Sequence, residues 1–113
     1  MKTLFLVASG GALGSVARLV IGLALPSPWG TLAVNVAGSL AMGWLFAALG
    51  QGPWAPFLLT GLLGGFTTFS AFSLDALRLV EGGRPGAALL YACASVGVSL
   101  LACGAGLLLG RLP

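Results

Sequence analysis

Four apolar stretches, each of about twenty residues or more, occupy nearly the whole chain: about residues 3–25, 30–49, 54–80 and 85–109 of 113. A helix that crosses a bilayer needs about 20 predominantly apolar residues. Four crossings therefore use up the sequence and leave nothing for a folded domain outside the membrane. Charged types make up only 6% of residues against 58% apolar, and mean hydropathy is +1.10. A soluble domain carries about 25% charged residues and, when small, keeps much of its surface in water. The sequence thus predicts an all-α integral membrane protein, one four-helix transmembrane unit over residues 1–113.

Punctuation falls between the stretches. Pro26, Ser27 and Pro28 end the first, because proline removes a donor and restricts the residue before it. Gly50 to Pro53 and Glu81 to Arg84 read as turns, and Arg111 closes the fourth stretch. Lys2 followed by Thr3 to Ala8 resembles the start of a signal peptide. No A-x-A-like site follows, however, and the apolar run continues past Arg18 to Leu25, so it is read as a first transmembrane helix.

The few polar residues exclude several classes. The basic residues Lys2, Arg18, Arg78, Arg84 and Arg111 are scattered singly, so the net charge of +3 makes no stripe for a nucleic-acid backbone. Histidine is absent, which removes His-dependent triads and Cys/His zinc sites. Cys93 and Cys103 are ten residues apart, about 15 Å on one helix and too far for a disulfide. There is no carboxylate pair and no Gly-Lys-Ser/Thr loop, so no catalytic residues are expected.

With four crossings, Lys2 and Arg111 share one side and Arg78 and Arg84 the other, joined by Arg18 if it snorkels that way. The positive-inside rule works through Lys/Arg asymmetry and has almost none to act on here. Either context sets one orientation, or copies insert both ways and pair about a two-fold axis in the membrane plane.

Polar side chains fall on helix faces. Tyr91, Ser95, Ser99 and Cys103 recur every fourth residue in the fourth stretch, and Thr31, Asn35 and Ser39 do so in the second. Such stripes serve either as interhelical glue or as a polar path. Gly10 and Gly14, with Gly22 further on, suit close helix contact. Arg18 is either an anchor or a functional cation. The third stretch carries Gly64-Gly-Phe-Thr-Thr-Phe-Ser-Ala-Phe-Ser73. Paired glycines followed by two threonines are poor material for a straight helix, so a break at mid-membrane or a kink is expected.

Three patterns carry a resemblance: Gly64 to Ser73, Gly30-Thr-Leu-Ala-Val-Asn-Val-Ala-Gly-Ser39, and Gly10-Gly-Ala-Leu-Gly14 with Arg18. In order and spacing, over essentially the whole chain, they resemble the Fluc (CrcB-like) fluoride channels. The resemblance implies a fluoride-selective channel for passive export across the bacterial inner membrane, which relieves fluoride toxicity. It implies a homodimer of opposed subunits with dual topology and two fluoride paths. By the same carry-over, Phe69 and Phe72 are pore phenylalanines, Asn35 is the amide facing the ion, and Ser73, Tyr91, Ser95 and Ser99 lie on the polar track. Backbone carbonyls of Gly64 and Thr67 from both subunits would hold one structural sodium ion. Arg18 matches the first-helix arginine, and Thr68 belongs to the same signature. Ala71, Asp75 and Cys103 depart from the family pattern, where threonine, glutamate and a hydroxyl are usual.

A small multidrug-resistance transporter is the main rival. It would need a glutamate in the first helix, and none is there; the only acids are Asp75 and Glu81. A membrane scaffold is a second rival, but needs neither hydroxyl stripes nor a broken third helix. The balanced charge generates a first prediction. Cysteines introduced at either terminus should react with an impermeant thiol reagent from both sides of the membrane. Labelling from one side alone would exclude dual topology.

Overall fold

The computed structural model describes every residue, Met1–Pro113, and is built of helices alone. α1 (Lys2–Ala24) and α2 (Trp29–Leu49) are followed by a π-helical segment (Pro56–Leu63) that runs into the short α3 (Gly64–Phe66); α4 (Phe69–Glu81) and α5 (Pro85–Gly110) complete the chain. Lys2–Ala24, Trp29–Leu49, Pro56–Glu81 and Pro85–Gly110 are each long and apolar enough to cross a membrane. These match the stretches expected from the sequence to within a few residues.

Local chemistry sets the ends. Leu25, before Pro26, is extended (φ −118°, ψ 117°), as a residue preceding proline prefers. Gly50 and Gly83 take φ of 58° and 76°, the left-handed region that glycine enters without steric cost. Pro85 opens α5 at a position where a missing N–H costs nothing.

Only 15 of 113 residues are buried, so apolar side chains point mostly outward. Phe5, Leu23 and Leu101 are all more than 70% exposed. In water a surface of this kind would aggregate. In a bilayer it is ordinary, because lipid tails are as apolar as leucine, and helices associate instead through close packing.

Glycine provides that packing at two seams. At the α2–α5 seam, a Cβ on Gly43 would land on the Cys103 carbonyl, and one on Gly106 on the Leu40 carbonyl. At the seam of α1 with the π-helical segment and α3, a Cβ on Gly14 would strike the Leu62 carbonyl, and one on Gly65 would lie 2.6 Å from the Gly11 carbonyl. Gly10 is packed in the same way, whereas Gly22 has open space where its Cβ would be.

The third span changes partner along its length. Its first half packs on α1 and its second half on α5. The change falls at Thr67 (φ −82°, ψ 156°) and Thr68 (φ −152°, ψ 121°), both extended.

Backbone against backbone cannot yield as a flexible side chain does. Gly106→Ala should therefore destabilise the protein by about 1–3 kcal/mol, the usual cost of overpacking, seen as a lower thermal midpoint in detergent. Gly86→Ala, where a Cβ meets nothing within 4 Å, should leave the midpoint unchanged or raise it.

Candidate functional site

The extended Thr67–Thr68 link leaves backbone groups that a continuous helix would have satisfied, and side chains take them up. The Thr68 N–H would serve the Gly64 carbonyl in a helix; it donates instead to Asn35 Oδ1 at 2.8 Å. Asn35 Nδ2 in turn donates to the Thr68 carbonyl at 2.9 Å. This two-bond pairing also fixes which way the amide faces, since a backbone N–H can only meet its oxygen. The Ala71 N–H would serve Thr67 in a helix; it donates to Thr68 Oγ1 at 3.1 Å, which caps α4. Gly64 and Thr67 thereby lose their helical donors. The Gly65 carbonyl accepts from Arg18 Nε at 3.1 Å, which ties α1 to α3.

The face of α2 that receives the link is shaped for it. Thr31, Asn35, Gly38 and Ser39 share that face. Gly38 leaves room for the Thr67 methyl and the Phe66 ring, which a Cβ there would strike.

Beyond the link, Phe69 is 76% exposed and Phe72 is buried. Their ring centroids are 5.4 Å apart at 60°, and Phe72 stands 5.4 Å from Tyr91. A cavity of about 180 Å³ is lined by Asn35, Ser39, Thr67, Thr68, Phe69, Phe72, Ser95, Val96 and Ser99. No lysine, arginine or carboxylate faces it. Ser95 is 4% exposed. The hydroxyls of Ser99 and Tyr91 are buried without a hydrogen-bond partner. A buried unpaired donor is costly, and an anion beside it would remove that cost.

Of the residues singled out in the sequence, the cavity gathers Asn35, Thr67, Thr68, Phe69, Phe72, Ser95 and Ser99. Ser73 lies outside it and bonds back to the Phe69 carbonyl at 2.9 Å within its own helix. Tyr91 touches Phe72 but does not line the cavity. Arg18 and Gly64 also lie outside it.

Two features escaped the sequence reading. Ser39 appeared only as a member of a stripe, yet it lines the cavity. Asp75, noted as a departure from the family pattern and as one of the two acids but given no partner, is buried and accepts a 2.6 Å hydrogen bond from Thr31. The two lie 44 residues apart in sequence, and neither has a spacing that points to the other.

Comparison with known proteins follows the same lines. The profile of the family described as CrcB-like protein, Camphor Resistance (CrcB), matches residues 5–107. The fluoride-specific ion channel FluC of Rhizobium meliloti is 52% identical, over 98% of both chains. That of Paracoccus denitrificans is 56% identical, over 98% of this chain and 97% of its own. That of Agrobacterium fabrum is 50% identical, over 98% of both chains. A family match over most of the length, with relatives this similar along the whole chain, means that this protein belongs to the CrcB family.

Proposed function

We propose that the chain is a fluoride-selective ion channel that lets fluoride leave the bacterial cytoplasm passively through the inner membrane. The observation that carries this reading is the cavity of hydroxyl, amide and phenyl groups without a fixed cation, in a chain whose relatives are named fluoride-specific ion channels.

Fluoride is small and strongly hydrated, so a path must replace its water with donors. Asn35 spends one amide hydrogen on the Thr68 carbonyl and keeps a second. Ser95 and Ser99 offer hydroxyls along one wall. Aromatic edges carry partial positive charge, which suits Phe69 and Phe72 to weak anion contact. The N-terminus of α4 starts at Phe69 and adds the positive end of a helix dipole to the same cavity. Many weak sites allow an ion to enter and to leave. Tyr91 would continue the path on the far side of Phe72, and Ser73 would join it only by releasing the Phe69 carbonyl. Asp75, held by Thr31, does not line the cavity, so no carboxylate stands there to couple a proton.

The working unit in this reading is a homodimer of opposed subunits with two paths. Phe69, a large apolar ring 76% exposed beside the cavity, favours a second copy against this face. Thr67 and Thr68 stand near the middle of the Pro56–Glu81 span, so the interruption falls at mid-membrane. There an unsatisfied backbone group is tolerated only in contact with protein or a ligand. The Gly64 and Thr67 carbonyls, deprived of helical donors, are hard oxygen ligands of the kind sodium accepts. Two from each copy would hold one structural sodium ion, whose charge would ease an anion's passage. Arg18, bound to Gly65, would support this assembly rather than bind fluoride at mid-path.

A negative-inside voltage drives the anion outward by about 2.3 kcal/mol per 100 mV. Phe69→Ile and Phe72→Ile keep apolar bulk but delete ring edges, and Asn35→Asp removes the donor to Thr68 and sets an acid against the ion. In liposomes loaded with potassium fluoride and clamped with valinomycin, a fluoride electrode should show each variant at least about tenfold slower, a barrier rise of about 1.4 kcal/mol. Wild-type rates in all three would remove the site assignment. Flux driven by a pH gradient with no fluoride driving force would establish a proton-coupled transporter instead.

The ion site makes a separate prediction. Sodium bound to the folded dimer alone should raise its thermal midpoint with the logarithm of sodium concentration. N-methylglucamine in its place should give no such rise. A midpoint indifferent to sodium would remove the cation from the structure.

A further inference from the structure

Polar side chains within the spans divide into those already bonded and those that are free. A serine inside a helix can bond back to the carbonyl four residues earlier. Ser9 does so with Phe5, and Ser73 with Phe69. On α2, Thr31 is bonded to Asp75, and Asn35 gives one amide hydrogen and its oxygen to Thr68. Ser39 lies one turn beyond Asn35 on the same face and makes no hydrogen bond within the chain. It is the eleventh of the 21 residues of α2, which sets it at mid-membrane, where a hydroxyl without a partner is costly. Its side chain lines the cavity, and unlike the Ser99 hydroxyl it is not sealed from open space.

The packing of α2 on α5 fixes what stands at its level. A Cβ on Gly43 would strike the Cys103 carbonyl and the Leu107 nitrogen, and one on Gly110 would strike the Trp44 carbonyl and Ala47. The two helices therefore run side by side in the same direction. One turn before Gly43, the same register sets Ser39 level with the turn from Ser99 to Cys103. On α5, Ser95 and Ser99 line the cavity. Cys103 follows one turn later on the same face, half-buried and free of any disulfide. A thiol is a weak donor. The run of hydroxyls on α5 thus ends at the level where α2 presents Ser39.

Resting on the channel reading, we infer that Ser39 contacts fluoride directly and supplies, beyond Ser99, the hydroxyl that Cys103 does not. The ion leaves Ser99 between Ser39 on α2 and Cys103 on α5. Fluoride gives up water only where donors replace it, and a path whose next group was a thiol alone would leave it underbonded. Interhelical glue, the ordinary use of a serine in lipid, needs a partner that Ser39 does not have. A neutral hydroxyl adds no fixed charge at this level, so it can hand the ion on.

Wild-type protein, Ser39→Ala, the double variant Ser39→Ala/Cys103→Ser and Ser9→Ala would each be reconstituted into liposomes loaded with potassium fluoride. Efflux under valinomycin would be read with a fluoride electrode, and thermal midpoints measured in detergent. Ser39→Ala should be at least about tenfold slower, the scale of one lost hydrogen bond to an ion. Its midpoint should be unchanged, because no bond within the protein is lost. The double variant, which returns a hydroxyl to the same level on α5, should recover efflux to within about threefold of wild type. Ser9→Ala, which alters a serine bonded to its own helix, should leave efflux intact. With a conducting wild-type protein, four results would each overturn the role of Ser39: wild-type efflux in Ser39→Ala, a lowered midpoint in that variant, no recovery in the double variant, or an equal loss in Ser9→Ala. A wild-type protein that passes no fluoride would remove the channel reading itself, and the role of Ser39 with it.

Discussion

The architecture turns on one pairing, the two hydrogen bonds between the Asn35 amide and the backbone of Thr68. In a medium without water every N–H and C=O has to find a partner within the protein. An extended link inside a helical span exposes several at once. One asparagine on α2 answers a donor and an acceptor together, and the Thr68 hydroxyl answers a third group by capping α4. The third span can then leave α1 and continue against α5 without leaving these groups unpaired.

The same economy explains the glycines. Helices in lipid gain little from burying leucine, so their association rests on backbones brought close enough for van der Waals contact. Gly43 and Gly106 do this between α2 and α5, and Gly14 and Gly65 between α1 and the first half of the third span. The leucines and phenylalanines are thereby left to face outward, which accounts for the small buried core.

The cavity beside the link is lined by hydroxyls, one amide, two phenyl rings and Val96. Arg18 is occupied with the Gly65 carbonyl, and Asp75 is sequestered by Thr31. Both ionisable side chains are thus turned to structural contacts, and what remains at the cavity is neutral. A fixed charge would either trap an anion or repel it, whereas neutral donors leave it mobile.

The sequence by itself determined the four spans, because length and apolarity are properties of a segment and depend on no neighbour. Pro26, Gly50 and Pro85 marked their ends for equally local reasons. It also put Thr31, Asn35 and Ser39 on one face, since that follows from helix period alone. Which group each would meet was beyond it. Asn35 meets a backbone 33 residues away and Thr31 a carboxylate 44 away, and these encounters depend on how closely the helices pack. The glycine pair drew attention to the third span, yet Gly64 and Gly65 are helical and the threonines after them are the extended residues. Gly10, Gly14 and Gly22 are chemically alike and lie on one helix, but only at the first two would a Cβ strike a neighbouring backbone. A glycine permits close approach without requiring it, and the tertiary structure alone decided where another backbone would come to lie.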